Sequence, residues 1–286
     1  MNKQLLVGLP GTGKTTFLAA LWHVVESSEI EDSLQLEVLE GDVEYLNEIR
    51  AEWLSYTELK RTTVGAVELS FMRLRDPRTS TVSELYLPDL AGETFHSQWV
   101  LRRWDPRFTE TASGATGILL FVHPHEITEP TTIAEVVRGL PLEEDDGAQG
   151  APMRPNPWQA EDAPTQVQMV DLLQFLGREL VRGEEPVRLA LVVSAWDVVL
   201  AHLPNTNPDR WVQQRLPLLA QFLDANPEMF ETHRYGVSAQ GGDLVQDRAK
   251  LVKIGVPAQR ILVQQGTHRH HDITAPVRWV MGGDAS

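Results

Sequence analysis

The chain has 286 residues, 42% of them hydrophobic, which suits one large α/β core with insertions rather than two independent domains. A formal charge of −15 argues against general affinity for DNA, RNA or anionic lipid, and no long Lys/Arg run offsets it. The absence of cysteine excludes disulfides and thiolate metal sites. No apolar run approaches the ~20 residues that cross a bilayer. The first strand begins at the N-terminus without a signal peptide, so a cytoplasmic protein is expected.

In chain order, Gln4-Leu5-Leu6-Val7 is a short apolar run that predicts a buried strand. It leads into Gly8-Leu9-Pro10-Gly11-Thr12-Gly13-Lys14-Thr15, and then into apolar residues at helical spacing over 16–25. Residues 34–39 alternate and predict a strand. Gly41 breaks it, and Asp42 is placed to cap a helix over 43–55, with Leu46, Ile49, Trp53 and Leu54 on one face. A polar stretch over 59–65 precedes two further strands, 66–74 and 82–88, joined by Asp76-Pro77-Arg78-Thr79-Ser80. So short a turn makes that pair antiparallel. Next come Asp89-Leu90-Ala91-Gly92-Glu93 and a loose helix or loop over 95–108, holding Trp99, Arg102, Arg103 and Trp104.

The continuous apolar run 116–122 predicts a central strand, ended by His123-Pro124-His125. Residues 126–164 are rich in proline and carry Glu143-Glu144-Asp145-Asp146, and are read as an acidic insertion. A helix is expected over 166–182 and a buried strand over 187–193, ending in Ser194-Ala195-Trp196-Asp197. A helix over 211–226, kinked at Pro217, follows. A short strand over 234–237 then runs into Ser238-Ala239-Gln240. The tail offers a strand over 260–263 and a helix over 273–281. His268-Arg269-His270-His271-Asp272 resembles a metal tract in composition, but its ligands lack helical spacing, and Asp272 is placed to cap the last helix.

The first of these motifs fits G-x-x-x-x-G-K-[ST], a loop whose inward N–H groups cradle a phosphate chain at a helix N-terminus. Gly8, Pro10, Gly11, Thr12, Gly13, Lys14, Thr15 and Thr16 are the candidate phosphate contacts. Lys14 is expected to reach the outer phosphates, and the Thr15 hydroxyl to take one position on Mg²⁺. Asp89 stands at a strand end, where ligands gather in open α/β sheets, and is a second candidate for Mg²⁺. Gly92 is placed to give its N–H to a γ-phosphate.

The order of motifs resembles the translation-factor and Ras-like (TRAFAC) class of P-loop GTPases. More narrowly, their style is similar to bacterial relatives encoded in multi-protein conflict systems. The resemblance implies an α/β P-loop NTPase fold: three layers, α/β/α, around a mostly parallel sheet with one antiparallel hairpin strand and loop insertions, in a single domain over 1–286. Ser194, Trp196 and Asp197 fall at the guanine-reading motif, and Ser238, Ala239 and Gln240 at the S-A-K motif. Thr62 or Thr63 falls at the switch threonine that closes over Mg²⁺. Ala195 and Gln240 stand where the family has lysines. Trp196 supplies either an aromatic surface for the base or a core side chain, and Asp197 either reads guanine or caps a helix. Glu93 occupies the position of the residue that orients the attacking water. A cis arginine would have to come from Arg61, Arg102 or Arg103, which also read as surface residues.

The implied activity is a GTP/GDP switch with slow, Mg²⁺-dependent hydrolysis, read by a protein partner, with no direct nucleic-acid or membrane binding. An ATPase, or a nucleotide-binding module that does not hydrolyse, is the alternative.

Overall fold

A computed structural model describes residues 2–59, 71–87, 93–103, 106–131, 159–180 and 185–283. Nine strands form one sheet in the order β2-β3-β4-β1-β5-β6-β7-β8-β9. They are β1 (Asn2–Gly8), β2 (Gln35–Glu40), β3 (Phe71–Arg75), β4 (Val82–Tyr86), β5 (Gly117–Val122), β6 (Val187–Ser194), β7 (Phe230–Ser238), β8 (Leu262–Gln265) and β9 (His268–His270). The five central strands, β4-β1-β5-β6-β7, are parallel.

The helices are α1 (Lys14–Ser27), α2 (Val43–Leu54), α3 (Glu93–Leu101), α4 (Pro106–Ala112), α5 (Thr165–Leu180), α6 (Trp196–His202), α7 (Pro208–Arg215), α8 (Pro217–Ala225), α9 (Arg248–Leu251) and α10 (Ala275–Val280). Strand alternation divides them into two layers. Leu6, Leu119, Ala190, Val192 and Tyr235 face a core shared with α1, α2 and α10. Leu5, Val7, Ile118, Leu120, Leu189 and Leu191 face the opposite core, with Phe95, Phe108, Leu172, Leu176, Val212 and Leu223 from the helices there. Each Val, Leu, Ile or Phe among them contributes roughly 1.5–3 kcal/mol by leaving water.

The expected hairpin is present as β3 and β4, antiparallel with Met72 opposite Leu85. It is wider than expected, because β2 pairs antiparallel with β3. A second strand, β8, also runs against the sheet, antiparallel to both β7 and β9. Instead of one kinked helix there are two, α7 and α8. Each starts with a proline, whose missing N–H is tolerated in the first turn, and Asn207 caps the first by accepting from the Arg210 N–H at 2.8 Å. The histidine-rich tract is mostly strand β9: Arg269 pairs with Gln264, and Asp272 accepts from the Thr274 N–H at 2.9 Å. Among the described residues no helix is long and apolar enough to cross a membrane.

One buried charge group ties the C-terminal helix to the hairpin. Arg278, 2% exposed, lies 3.3 Å from the Asp76 carboxylate and 2.9 Å from that of Asp272, and it donates to the Asp32 carbonyl. Removing Asp76 leaves the buried guanidinium with Asp272 as its remaining carboxylate. Asp76→Ala is therefore expected to lower the free energy of unfolding by about 1.5–3 kcal/mol, less than a pair broken outright, read from urea denaturation.

Burial also holds the imidazoles of His23, His123, His233 and His270 below their ordinary pKa. They hold a proton less readily when folded than when unfolded, where an imidazole titrates near pH ~6.5, so their contribution is present above that value and lost as pH falls below it. The urea midpoint is expected to drop between about pH 7.5 and about pH 5.5.

Candidate functional site

The loop between β1 and α1 is shaped by two glycines in the left-handed region, Gly11 at φ 74° and Gly13 at φ 84°. Gly13 also packs closely: a Cβ there would lie 3.0 Å from Ser194. The Thr12 hydroxyl donates to the Leu9 carbonyl at 2.8 Å, closing the loop on itself. Lys14 is 2% exposed, and its Nζ donates to the carbonyls of Gly8 and Leu9 at 2.8 and 2.9 Å. An ammonium is thus held at the N-terminus of α1, a 14-residue helix whose first N–H groups add positive potential at the same point. Thr15 and Thr16, half-buried, belong to that first turn.

Across from the loop, β6 ends at Ser194, whose hydroxyl donates to the Val122 carbonyl at 3.2 Å. Ala195 turns the chain in the left-handed region, φ 44°, and α6 begins at once. Asp197, in the first turn of α6, accepts a hydrogen bond from the Ser238 hydroxyl at the end of β7. Ser238 Oγ in turn accepts from the Gly241 N–H at 3.1 Å. Gly241 has φ 86°, and a Cβ on it would overlap the Arg260 carbonyl oxygen. Gln240 has a buried Oε1 without a hydrogen-bond partner.

A cavity of about 760 Å³ joins the two halves. Gly13 and Thr16 line it on the loop side, and Ser194, Asp197, Ala239 and Gln240 on the other. His123, at the end of β5, lines it between them, and burial pushes its imidazole pKa down, partly offset by Glu126.

Trp196 requires a correction. It is fully buried, its Nε1 donates to Gln264 Oε1 at 2.9 Å, and its ring fills the space above Gly236. It therefore supplies no aromatic surface in the cavity. Neighbouring helix positions point in different directions, so the turn that brings Asp197 to the cavity sends Trp196 into the core.

Thr62, Thr63, Asp89 and Gly92 lie outside the described residues, as do Arg61 and Trp104. Glu93 opens α3, with its side chain undescribed. Arg102 is committed elsewhere: it pairs with Asp171 at 2.6 Å and lies over the Trp99 and Phe175 rings. Residues without any motif also line the cavity, among them Tyr56, Glu58, Val198, Val245 and Arg248. Tyr56 and Glu58 follow α2, and no local pattern marks their return to the end of the sheet.

A family model described as Double-GTPase 1 matches residues 5–280. No curated protein matches the chain. Similar solved structures include the bacterial selenocysteine-specific elongation factor EF-Sec, at 14% identity over 88% of this chain and 28% of that one, with a TM-score of 0.34. The S. cerevisiae Ski7 GTPase-like domain, bound to GTP, is 12% identical over 84% and 43%, with a TM-score of 0.37. The cytosolic domain of the T. maritima FeoB iron transporter, in GMPPNP form, is 11% identical over 90% and 66%, with a TM-score of 0.27. The chain thus spans less than two thirds of each, and at these TM-scores family membership rests on the family model alone.

Gly13→Ala is expected to cost about 1–2 kcal/mol in the left-handed region, plus the crowding against Ser194, read as a lower urea midpoint.

Proposed function

The chain belongs to the Double-GTPase 1 family, and from this we propose that it binds GTP and GDP in the cavity described above and hydrolyses GTP to GDP and phosphate. The observation that carries the reading is the position of Asp197. Its carboxylate is held by Ser238 on the side of the cavity opposite Gly13 and Thr16, where a base would lie with its phosphates in the loop. A carboxylate accepts both N–H groups on the edge of guanine and repels the acceptor edge of adenine.

Lys14 binds the outer phosphates, and the left-handed glycines aim main-chain N–H groups at them. The hydroxyl of Thr15, at the start of α1, fits a hard cation such as Mg²⁺, with Asp89 and either Thr62 or Thr63 as the further oxygen donors. Mg²⁺ would neutralise charge developing on the phosphates. Glu93 follows Gly92 at the position that orients water. Its own negative charge sits poorly beside a γ-phosphate, which favours slow hydrolysis until a protein partner completes the site. The domain is a single unit with its acidic insertion at about 126–164, and the nucleotide state is read by a protein partner.

Identification of the co-purifying nucleotide, followed by competition of labelled GDP by GTP and by ATP, tests this reading. GTP is expected to compete and ATP to fail, with phosphate released in a single turnover. Equal competition by ATP would favour an ATPase, and retention without phosphate release a purely binding module. Asp197→Asn is expected to weaken GDP binding by about 2 kcal/mol, roughly thirtyfold, measured by calorimetry.

A further inference from the structure

A purine held in this cavity must also have its flat faces covered, because an exposed π-face forfeits the stacking that makes a base bind. Next to Asp197 in the chain, the lining offers Ala195 and Val198, which have no π-face. The aromatic residues at the cavity are Phe17, Phe121, Tyr56 and the imidazoles of His123 and His125, which stand at the end of β5 beside the glycine loop. Phe17 and Phe121 are 1% exposed and packed edge to face, 4.9 Å apart, in the core. Tyr56 is half-buried. Arg248, from α9 beyond β7, lines the same cavity and is exposed.

Tyr56 is held in place from several directions. Its hydroxyl donates to the Leu251 carbonyl at 3.1 Å, and its own carbonyl accepts from Arg248 at 2.8 Å. The Arg260 guanidinium, 4% exposed, sits 4.6 Å from the Tyr56 ring and 3.6 Å from that of Trp53, and donates to the Trp53 carbonyl. Trp53 Nε1 donates to the Ala239 carbonyl at 2.9 Å, tying the end of α2 to the Ser238-Ala239-Gln240 loop. Tyr56 also has φ 56°, a left-handed conformation rare for an aromatic residue. Strain of this kind persists where the surroundings over-determine it, and it gathers at ligand sites.

Resting on the nucleotide reading above, we infer that Tyr56 and Arg248 form the wall that covers the face of the bound base, a contact that sets affinity without reading the base edge. Tyr56 presents its ring to the purine, and Arg248 contributes a guanidinium plane. Asp197 discriminates between bases, whereas Tyr56 and Arg248 hold any purine of the right shape.

The test compares wild type, Tyr56→Phe, Tyr56→Leu and Arg248→Ala by calorimetry in Mg²⁺, with GDP, IDP and inorganic tripolyphosphate as probes. Tyr56→Leu is expected to weaken GDP and IDP by the same factor, about tenfold, while tripolyphosphate binding is unchanged. Tyr56→Phe should recover most of that loss, and Arg248→Ala should weaken both nucleotides by a few-fold. GDP bound by Tyr56→Leu as tightly as by wild type would overturn the inference. So would an equal loss of tripolyphosphate, which would make Tyr56 a support of the fold alone. Failure of wild type itself to bind GDP or IDP would overturn the reading of the site, a different result from either.

Discussion

Four parallel strands, β1, β5, β6 and β7, end side by side, and that alignment is the constraint on which the rest depends. Hydrogen-bonded register sets it: Gly8 is opposite Phe121, Val122 opposite Val193, and Ser194 opposite Val237. Each strand therefore releases its loop at the same level, and the loops must share one space. β1 supplies the glycine loop, β5 supplies His123, β6 supplies Asp197 and β7 supplies Ser238 to Gln240. Distant parts of the chain meet because the sheet leaves them nowhere else to go.

Charge follows the same geometry. The chain is strongly acidic, yet several of its cations are buried: Lys14 in the glycine loop, Arg260 between two aromatic rings, and Arg278 between carboxylates. Arg278 is matched by Asp76 and Asp272 and holds the fold. Lys14 follows Gly13 and Arg260 packs on Tyr56, and Gly13 and Tyr56 both line the cavity. Burial lowers the pKa of Arg260, and its Nε and Nη1 are buried without hydrogen-bond partners. A net-acidic protein that keeps positive groups near one opening suits an anionic ligand there and discourages diffuse attraction to polyanions elsewhere.

Much of this was legible in the sequence. Apolar runs located the central strands, and Asp42 marked the start of α2, where it accepts from the Tyr45 N–H at 2.9 Å. The glycine loop carried its own spacing. Other features were not legible, for identifiable reasons. Alternation tells which side of a strand is buried but not which strand lies beside it, so the pairing of β2 with β3 and the reversal of β8 were hidden. Trp196 and Asp197 are adjacent in a motif, and only the left-handed turn at Ala195 decides which faces the cavity. Tyr56 and Arg248 belong to no motif, and the packing of Trp53 against Arg260 brings Tyr56 to the cavity.

The two margins of the sheet differ in a way that bears on solubility. At one margin β9 is three residues long, too short to template another strand, and His268 and Arg269 are exposed. At the other, β2 is longer and has Val38 41% exposed, but it carries Glu37 and Glu40, and a register shift between Leu36 and Val38 interrupts its ladder. Charge and irregularity blunt the open backbone there. Among the described residues, a mixed sheet of nine strands thus ends at one margin in a very short strand and at the other in a charged, irregular one, neither of which invites a neighbouring molecule to extend it.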